Sequence, residues 1–245
     1  MSSISFDITI KAVILDIEGT VAPITFVKDV LFPYFLRAIP DTLSPLTYPI
    51  QSSSTNTIEA ILSNFPSEVT ESKESTFKHI EYLVKNDIKD STLKSLQGFV
   101  WTAGYESGEI KAPLYDDAIA ALHRWNEEGK KIFIYSSGSV KAQKLLFQYV
   151  NVNDKSVDFN GLLSGYFDIT TSGYKFETTS YVNIIKDIQF SPEESLFLSD
   201  NVKEVSAALE AGLNSLIVVR EGNAPLSEED LKVSKTITSF DQISI

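Results

Sequence analysis

No cysteine occurs anywhere in the 245 residues. Disulfides, thiolate nucleophiles and thiolate metal sites are therefore excluded together. Histidine is nearly absent too: the chain has two, His79 and His123. Both lie in helical stretches without metal-ligand spacing to a partner, so structural or surface roles are expected for them. No apolar run approaches the ~18 residues of a membrane span. The opening "MSSISFDITIKAV" has no basic start followed by a long apolar run, so no secretory signal is expected. Positive charge is scarce, with 21 Lys and Arg against 33 Asp and Glu and a net charge of -12. That balance argues against nucleic acid and anionic membranes as partners, but leaves an anionic small molecule open, because the field inside a cleft can oppose the global sign. Neither G-x-G-x-x-G nor a Walker loop occurs, and "DIEGT" lacks the further ligands of a calcium loop. A soluble, cytoplasmic or also nuclear protein is expected. With no heptad seam, a monomer is expected as well.

What the chain does contain is a series of short apolar runs that read as buried parallel strands: Ala12–Leu15, Lys131–Tyr135, Ser195–Leu198 and Ser215–Val219. Helical patterns separate them. "APLYDDAIAALHRWNEEGKK" has Pro113 early, acids in the first turn and Gly129 past the end; "SVKAQKLLFQYV" and "NVKEVSAALEAG" follow later strands. Strands alternating with helices imply an α/β, doubly wound parallel sheet. From about Pro23 to Glu109 the alternation stops. "STNTIEAILSNF" and "ESTFKHIEYLVKND" read as helices and "YPIQSSSTNT" as a loop, which makes this region a mostly helical insertion. Core segments at 1–22 and 110–245 with a cap at 23–109 are the expected domains.

In open α/β sheets, ligands bind at the carboxyl ends of the strands. The first strand ends in Asp16 and Glu18, the second in Ser136 and Ser137, the third in Ser199, Asp200 and Asn201. "TSGYKFETT" places Lys175 just before a helix start at Thr178 or Thr179. Asp16, Glu18 and Asp200 are hard oxygen donors with no histidine or cysteine nearby, a set suited to Mg2+. Ser136, Ser137 and Lys175 supply hydroxyl, backbone N–H and ammonium partners for an anion. A carboxylate can attack phosphorus to form an acyl-phosphate, and a second acid can protonate the leaving oxygen and then deprotonate water. Asp16 is the candidate attacker and Glu18 the candidate proton carrier. Asp200 and Asn201, directly before "VKEVSAALEAG", also read as an N-cap, a role compatible with metal binding. Glu204, one helical turn on, reads equally as a metal-shell residue or as a helix-face acid.

"DIEGT" resembles the first motif of the haloacid dehalogenase-like superfamily, whose phosphatases usually read Asp-x-Asp-x-Thr. Ser136, Lys175 and Asp200 match the second, third and fourth motifs in order, and the insertion sits where the superfamily places a cap. Glu18 departs from the usual Asp. With "DIEGTVAPITFVKDVLFPYF", "GYESGEIKAPLYDD", "IYSSGSVKAQKLLF" and "VVREGNAPLSEED", the chain is similar to the enolase-phosphatases of methionine salvage, the acireductone synthases. The resemblance implies a bifunctional enzyme with one Mg2+ per subunit. Such an enzyme enolises 2,3-diketo-5-methylthiopentyl-1-phosphate and then removes the phosphate to give the acireductone. It also implies Asp16, Glu18 and Asp200 as metal residues, with Glu18 contributing its main-chain carbonyl, and Ser136, Ser137 and Lys175 as substrate-binding residues. The base for enolisation stays open, Glu18 being one candidate by reach. Another capped phosphatase or a phosphosugar mutase is the alternative enzyme. A receiver that holds a phosphate on Asp16 is the alternative outside enzymes, disfavoured by the long insertion.

Overall fold

The computed structural model describes residues 4–6, 9–51 and 57–245. They fall into two compact units, Met1–Phe26 with Lys111–Ile245, and Val27–Ile110.

The larger unit is built on six parallel strands in the order β5-β2-β1-β6-β7-β8. They are β1 (Ala12–Leu15), β2 (Lys131–Tyr135), β5 (Gly165–Phe167), β6 (Ser195–Ser199), β7 (Asn214–Val218) and β8 (Thr236–Ile237). A separate antiparallel hairpin joins β3 (Val150–Val152) to β4 (Lys155–Val157). Apolar residues of both alternating sets are buried: Ile14, Tyr135 and Phe197 on one side, and Val13, Leu15, Ile134 and Leu198 on the other. A strand covered on both faces needs an unbroken apolar run, which is why the four longer strands are visible as such in the sequence. The sheet is flanked by α5 (Asp116–Glu127), α6 (Val140–Gln148), α7 (Thr178–Ile188) and α8 (Val202–Glu210). Tyr181 and Ile184 of α7 and Ala207 and Ala208 of α8 pack into one cluster with Ile14, Tyr135 and Phe197. A short α9 (Asp230–Val233) precedes β8.

Parallel pairing fixes which strand ends meet. Leu15 lies opposite Ile134 of β2 and Leu198 of β6. One residue further on, Asp16 N donates to Leu198 O at 3.0 Å. The carboxyl ends of β1, β2 and β6 are therefore level and adjacent.

The second unit is helical. After a π turn at Val27–Leu31 come α1 (Phe32–Leu43), α2 (Thr57–Leu62), α3 (Lys73–Lys85) and α4 (Ser91–Glu106). Its core consists of Phe35, Ile39 and Leu43 of α1, Leu62 of α2, Ile80 and Leu83 of α3, and Leu96 and Val100 of α4. Ser72 starts α3 by accepting from Ser75 N, and Asp90 starts α4 by accepting from Leu93 N at 2.8 Å. Gly104 of α4 permits a close helix crossing, since a Cβ there would stand 2.6 Å from the Tyr34 ring. Trp101 stacks on Phe32 and donates its indole N–H to Leu31 O. The loop expected over "YPIQSSSTNT" holds a cis Tyr48–Pro49 bond. Its residues 52–56 lie outside the described residues. His79 meets Phe65 edge-on, and His123 meets Phe159 the same way, both structural contacts.

Candidate active site

Everything chemically distinctive in the larger unit collects where β1, β2 and β6 end. Asp16 is 7% exposed. Its Oδ1 accepts from Ile17 N at 2.7 Å and from Lys175 Nζ at 2.5 Å, and its Oδ2 accepts from Ser199 Oγ at 3.2 Å. The chain then folds tightly on itself: the carbonyl of Ile17 accepts from the N–H groups of Thr20, Val21 and Ala22. Gly19 sits at φ +71, a conformation costly for any residue with a Cβ. A Cβ there would also meet Asp200 Oδ2 at 2.6 Å and Asn223 Oδ1 at 2.8 Å. Glu18 is half-buried in this turn, paired along the backbone with Ala22.

Lys175 reaches the site from the loop between β5 and α7. It is 7% exposed, and its carbonyl is held by Tyr181 Oη at 2.6 Å. Its ammonium bridges Asp16 and Glu204, the latter at 2.7 Å. Burial alone would lower its pKa, but the charges of Asp16 and Glu204 outweigh burial and hold the pKa above the usual lysine value. Glu204 Oε2 also accepts from Ser199 Oγ at 2.8 Å. Ser199 thus joins Asp16 to Glu204, and Glu204 faces inward rather than lying on a solvated helix face. Burial and the nearby Asp16 push Glu204 upward against the opposing pull of Lys175.

Asp200 is not the cap of α8. That role belongs to Asn201, whose Oδ1 accepts from Lys203 N at 3.0 Å. Asp200 donates its own N–H to Thr20 Oγ1 at 3.1 Å, which ties the end of β6 to the turn after β1. Burial first, then the charges of Asp16 and Glu204, push the Asp200 carboxyl up to about 7 against the opposing pull of Lys175.

On the β2 side, Ser136 is buried and Ser137 is exposed. Ser136 Oγ accepts from Gly138 N at 3.2 Å. Gln143 braces the same loop by donating to Gly138 O and Phe167 O, both at 2.8 Å. Asp168, at the end of β5, accepts from Val140 N at 2.9 Å and so anchors the start of α6 beside it.

The structure brings Asp16, Lys175 and Asp200 into one electrostatic neighbourhood, keeps Ser136 at the adjacent strand end, and leaves Ser137 at the rim. Sequence reasoning missed that Ser199 bridges two acids, although its place directly before Asp200 was a signal. It also missed Arg220. This buried guanidinium donates to Thr20 O at 3.1 Å and forms a two-pronged pair with Asp117 at 3.0 and 2.9 Å. Burial works to raise the Asp117 pKa, but the bonds from Arg220 and from Phe240 N outweigh it and hold the carboxyl below its usual value.

Two carboxylates, Asp16 and Glu204, thus pair with one ammonium, and a third, Asp200, lies within their electrostatic reach. That excess of hard, negatively charged oxygen fits a divalent cation such as Mg2+. Among the described residues no three acidic or histidine side chains are preassembled as a metal cage. Mg2+ commonly takes one or two carboxylates and leaves its other positions to water, carbonyls and substrate phosphate, so the donor set is compatible.

A parallel sheet with a carboxylate, a lysine and a second carboxylate meeting at its strand ends defines a class. The family model for haloacid dehalogenase-like hydrolases matches residues 10–212, and the chain belongs to that family. More particular likenesses cover nearly the whole chain. The Enolase-phosphatase E1 of Debaryomyces hansenii is 54% identical over 99% of this chain and 99% of its own length. That of Candida tropicalis is 53% identical over 97% of this chain and all of its own. Among solved structures, the UTR4 protein of Saccharomyces cerevisiae is 45% identical, with a TM-score of 0.82 over 95% of this chain and 99% of that one.

Proposed function

We propose that the protein is the enolase-phosphatase of methionine salvage. On this reading it converts 2,3-diketo-5-methylthiopentyl-1-phosphate into the acireductone 1,2-dihydroxy-3-keto-5-methylthiopentene and phosphate. Full-length likeness to proteins named Enolase-phosphatase E1 supports the reaction. The observation that carries the chemistry is the buried Asp16 carboxylate with Lys175 Nζ 2.5 Å from it.

In this mechanism an Asp16 oxygen attacks phosphorus and the bond from phosphorus to the substrate oxygen breaks. Glu18 gives its proton to the leaving oxygen. Glu18 then takes a proton from water, which attacks the acyl-phosphate, releases phosphate and restores Asp16. Lys175, which lies on Asp16 and Glu204, turns to the phosphate oxygens when substrate arrives. Ser136, with Ser137 at the rim, donates to the same oxygens. Glu204 and Ser199 hold Lys175 and Asp16 in place. Hydrolases of this family generally use Mg2+, and Asp16, Asp200 and the Glu18 carbonyl would hold one ion per chain. When bound, that cation offsets the repulsion between carboxylate and phosphate and polarises the substrate oxygens. The helical unit, residues 27–110, is the cap on this reading, and the chain acts as a monomer.

The test is an assay with the diketone phosphate and Mg2+ that follows enol absorbance and free phosphate together. Both should rise, with phosphate trailing the enol. Equal or faster release from a panel of sugar phosphates would replace this reading by that of another capped phosphatase.

A further inference from the structure

The segment after β7, "VREGN", enters no step of that mechanism, yet it touches the turn that follows Asp16 twice. Arg220 Nε donates to Thr20 O at 3.1 Å, and Asn223 Nδ2 donates to Gly19 O at 2.9 Å. The amide of Asn223 has a definite orientation, because Nδ2 faces a second carbonyl, that of Val218, at 3.3 Å. Its Oδ1 must then point the other way. That oxygen is buried and accepts no hydrogen bond among the described residues. It lies within 2.8 Å of the point above Gly19 that Asp200 Oδ2 also approaches within 2.6 Å. Two oxygens therefore approach one spot, and among the described residues none donates to Asn223 Oδ1 there. A buried, unpaired acceptor facing a carboxylate is costly unless something electropositive joins them.

We propose that Asn223 is a positioning residue of the cation centre. Its N–H group holds the left-handed turn at Gly19, and its Oδ1 accepts a hydrogen bond from the hydration shell of the Mg2+ that Asp200 helps to hold. The inference rests on the reading of Asp16, Glu18 and Asp200 as the cation's residues. It adds a partner from a segment some 200 residues distant in sequence. Groups that orient a metal's first ligands and waters commonly change affinity by about 10- to 100-fold when removed.

The test is calorimetric titration of Mg2+ into the metal-free protein without substrate, beside its thermal unfolding. Asn223→Ala should weaken Mg2+ binding about tenfold or more. Asn223→Asp also loses the bond to Gly19 O, so its metal-free melting temperature should fall. It keeps an acceptor and gains a charge, so it should bind Mg2+ at least as tightly as the unaltered chain and show a larger Mg2+-induced rise in melting temperature. A residue that only braced the turn would weaken binding alike in both variants, and that result would overturn the proposal. So would unchanged affinity in Asn223→Ala. Asp200→Asn separates the two levels. If it abolishes binding while Asn223→Ala leaves the affinity unchanged, the inference about Asn223 alone fails. If Asp200→Asn binds Mg2+ as before, the reading of the cation centre fails with it.

Discussion

The sheet unit and the helical unit treat charge in opposite ways. In the helical unit every ion pair among the described residues is on the surface: Lys78 with Glu74, Lys85 with Glu81, Lys89 with Asp87, and Arg37 with Glu109. The interior there is aliphatic and aromatic, and a buried hydroxyl such as that of Thr76 is satisfied by carbonyls a few residues away, Ser72 O at 2.8 Å and Val69 O at 3.1 Å. In the sheet unit the pairs that matter are buried. Lys175 and Asp16 have side chains only 8% and 10% exposed, and Arg220 and Asp117 6% and 16%. Solvated pairs on flexible side chains contribute little to stability, whereas a buried pair becomes costly as soon as one partner is removed. Buried charge in the sheet unit therefore lies in and beside the turn after Asp16, through Lys175 at the carboxylate and Arg220 at Thr20 O, while the helical unit folds on apolar packing and helix caps.

This contrast can be broken by substitution. The largest effect is expected for Asp16→Asn, which should lower phosphate release by about 10⁴-fold or more while far-ultraviolet circular dichroism stays native. Lys175→Met comes next. It removes the one ammonium among Asp16, Asp200 and Glu204, so release should collapse. Stability in chelator should fall by about 3 kcal/mol, read by urea unfolding, and added Mg2+ should recover part of it.

Asp117→Ala should cost about 2 kcal/mol, less than a fully buried pair because Asp117 keeps some contact with water. Its pH signature has a definite sign. The folded pKa of Asp117 is depressed, so its contribution is complete above the ordinary carboxylate value of about 3.9 and is lost as pH falls through the lower folded value. The stability gap between the native chain and Asp117→Ala should therefore be flat at neutral pH and close below about pH 4.

In the helical unit, Ser72→Ala removes a helix cap and should cost about 1 kcal/mol, with kcat unchanged. The smallest effect is expected for Lys78→Ala. Its pair with Glu74 is fully solvated, so the melting temperature should not move measurably. A large drop would mean that surface charge supports this unit after all.

Much of the sheet unit was legible in the sequence, and the reason is burial. Ala12–Leu15 and Lys131–Tyr135 stand where their unbroken apolar runs put them, β6 runs one residue further than expected, to Ser199, and β7 is shifted one residue toward the N-terminus at both ends. The strands β5 and β8 were missed because three residues, "GYF", and two, "TI", are too short for any period to declare itself. The helix α4 did not stand out in the insertion, since Gly98 and Gly104 interrupt its helix-forming residues.

For the candidate site, local order and spacing pointed to Asp16, Asp200 and Lys175, which the structure places near one another. What they could not reveal is how distant side chains meet. Ser199 reaches Asp16 across 183 positions, and Asn223 reaches Gly19 across 204. Glu204 read equally well as a surface acid until the ammonium of Lys175 was found 2.7 Å from it. The sequence offered Asp200 and Asn201 together as the cap of α8, since Asp and Asn both cap helices, and the structure gives the task to Asn201.

The claim beneath all of this is that the buried carboxylate just past β1 takes the phosphate covalently. Acyl-phosphates are reduced by borohydride, so quenching a single turnover with borohydride and sequencing the chain by mass spectrometry tests it directly. The account predicts that residue 16 is recovered as homoserine, only when substrate and Mg2+ are both present. Full phosphate release with Asp16 recovered unchanged, over a time course fine enough to catch the first turnover, would contradict it.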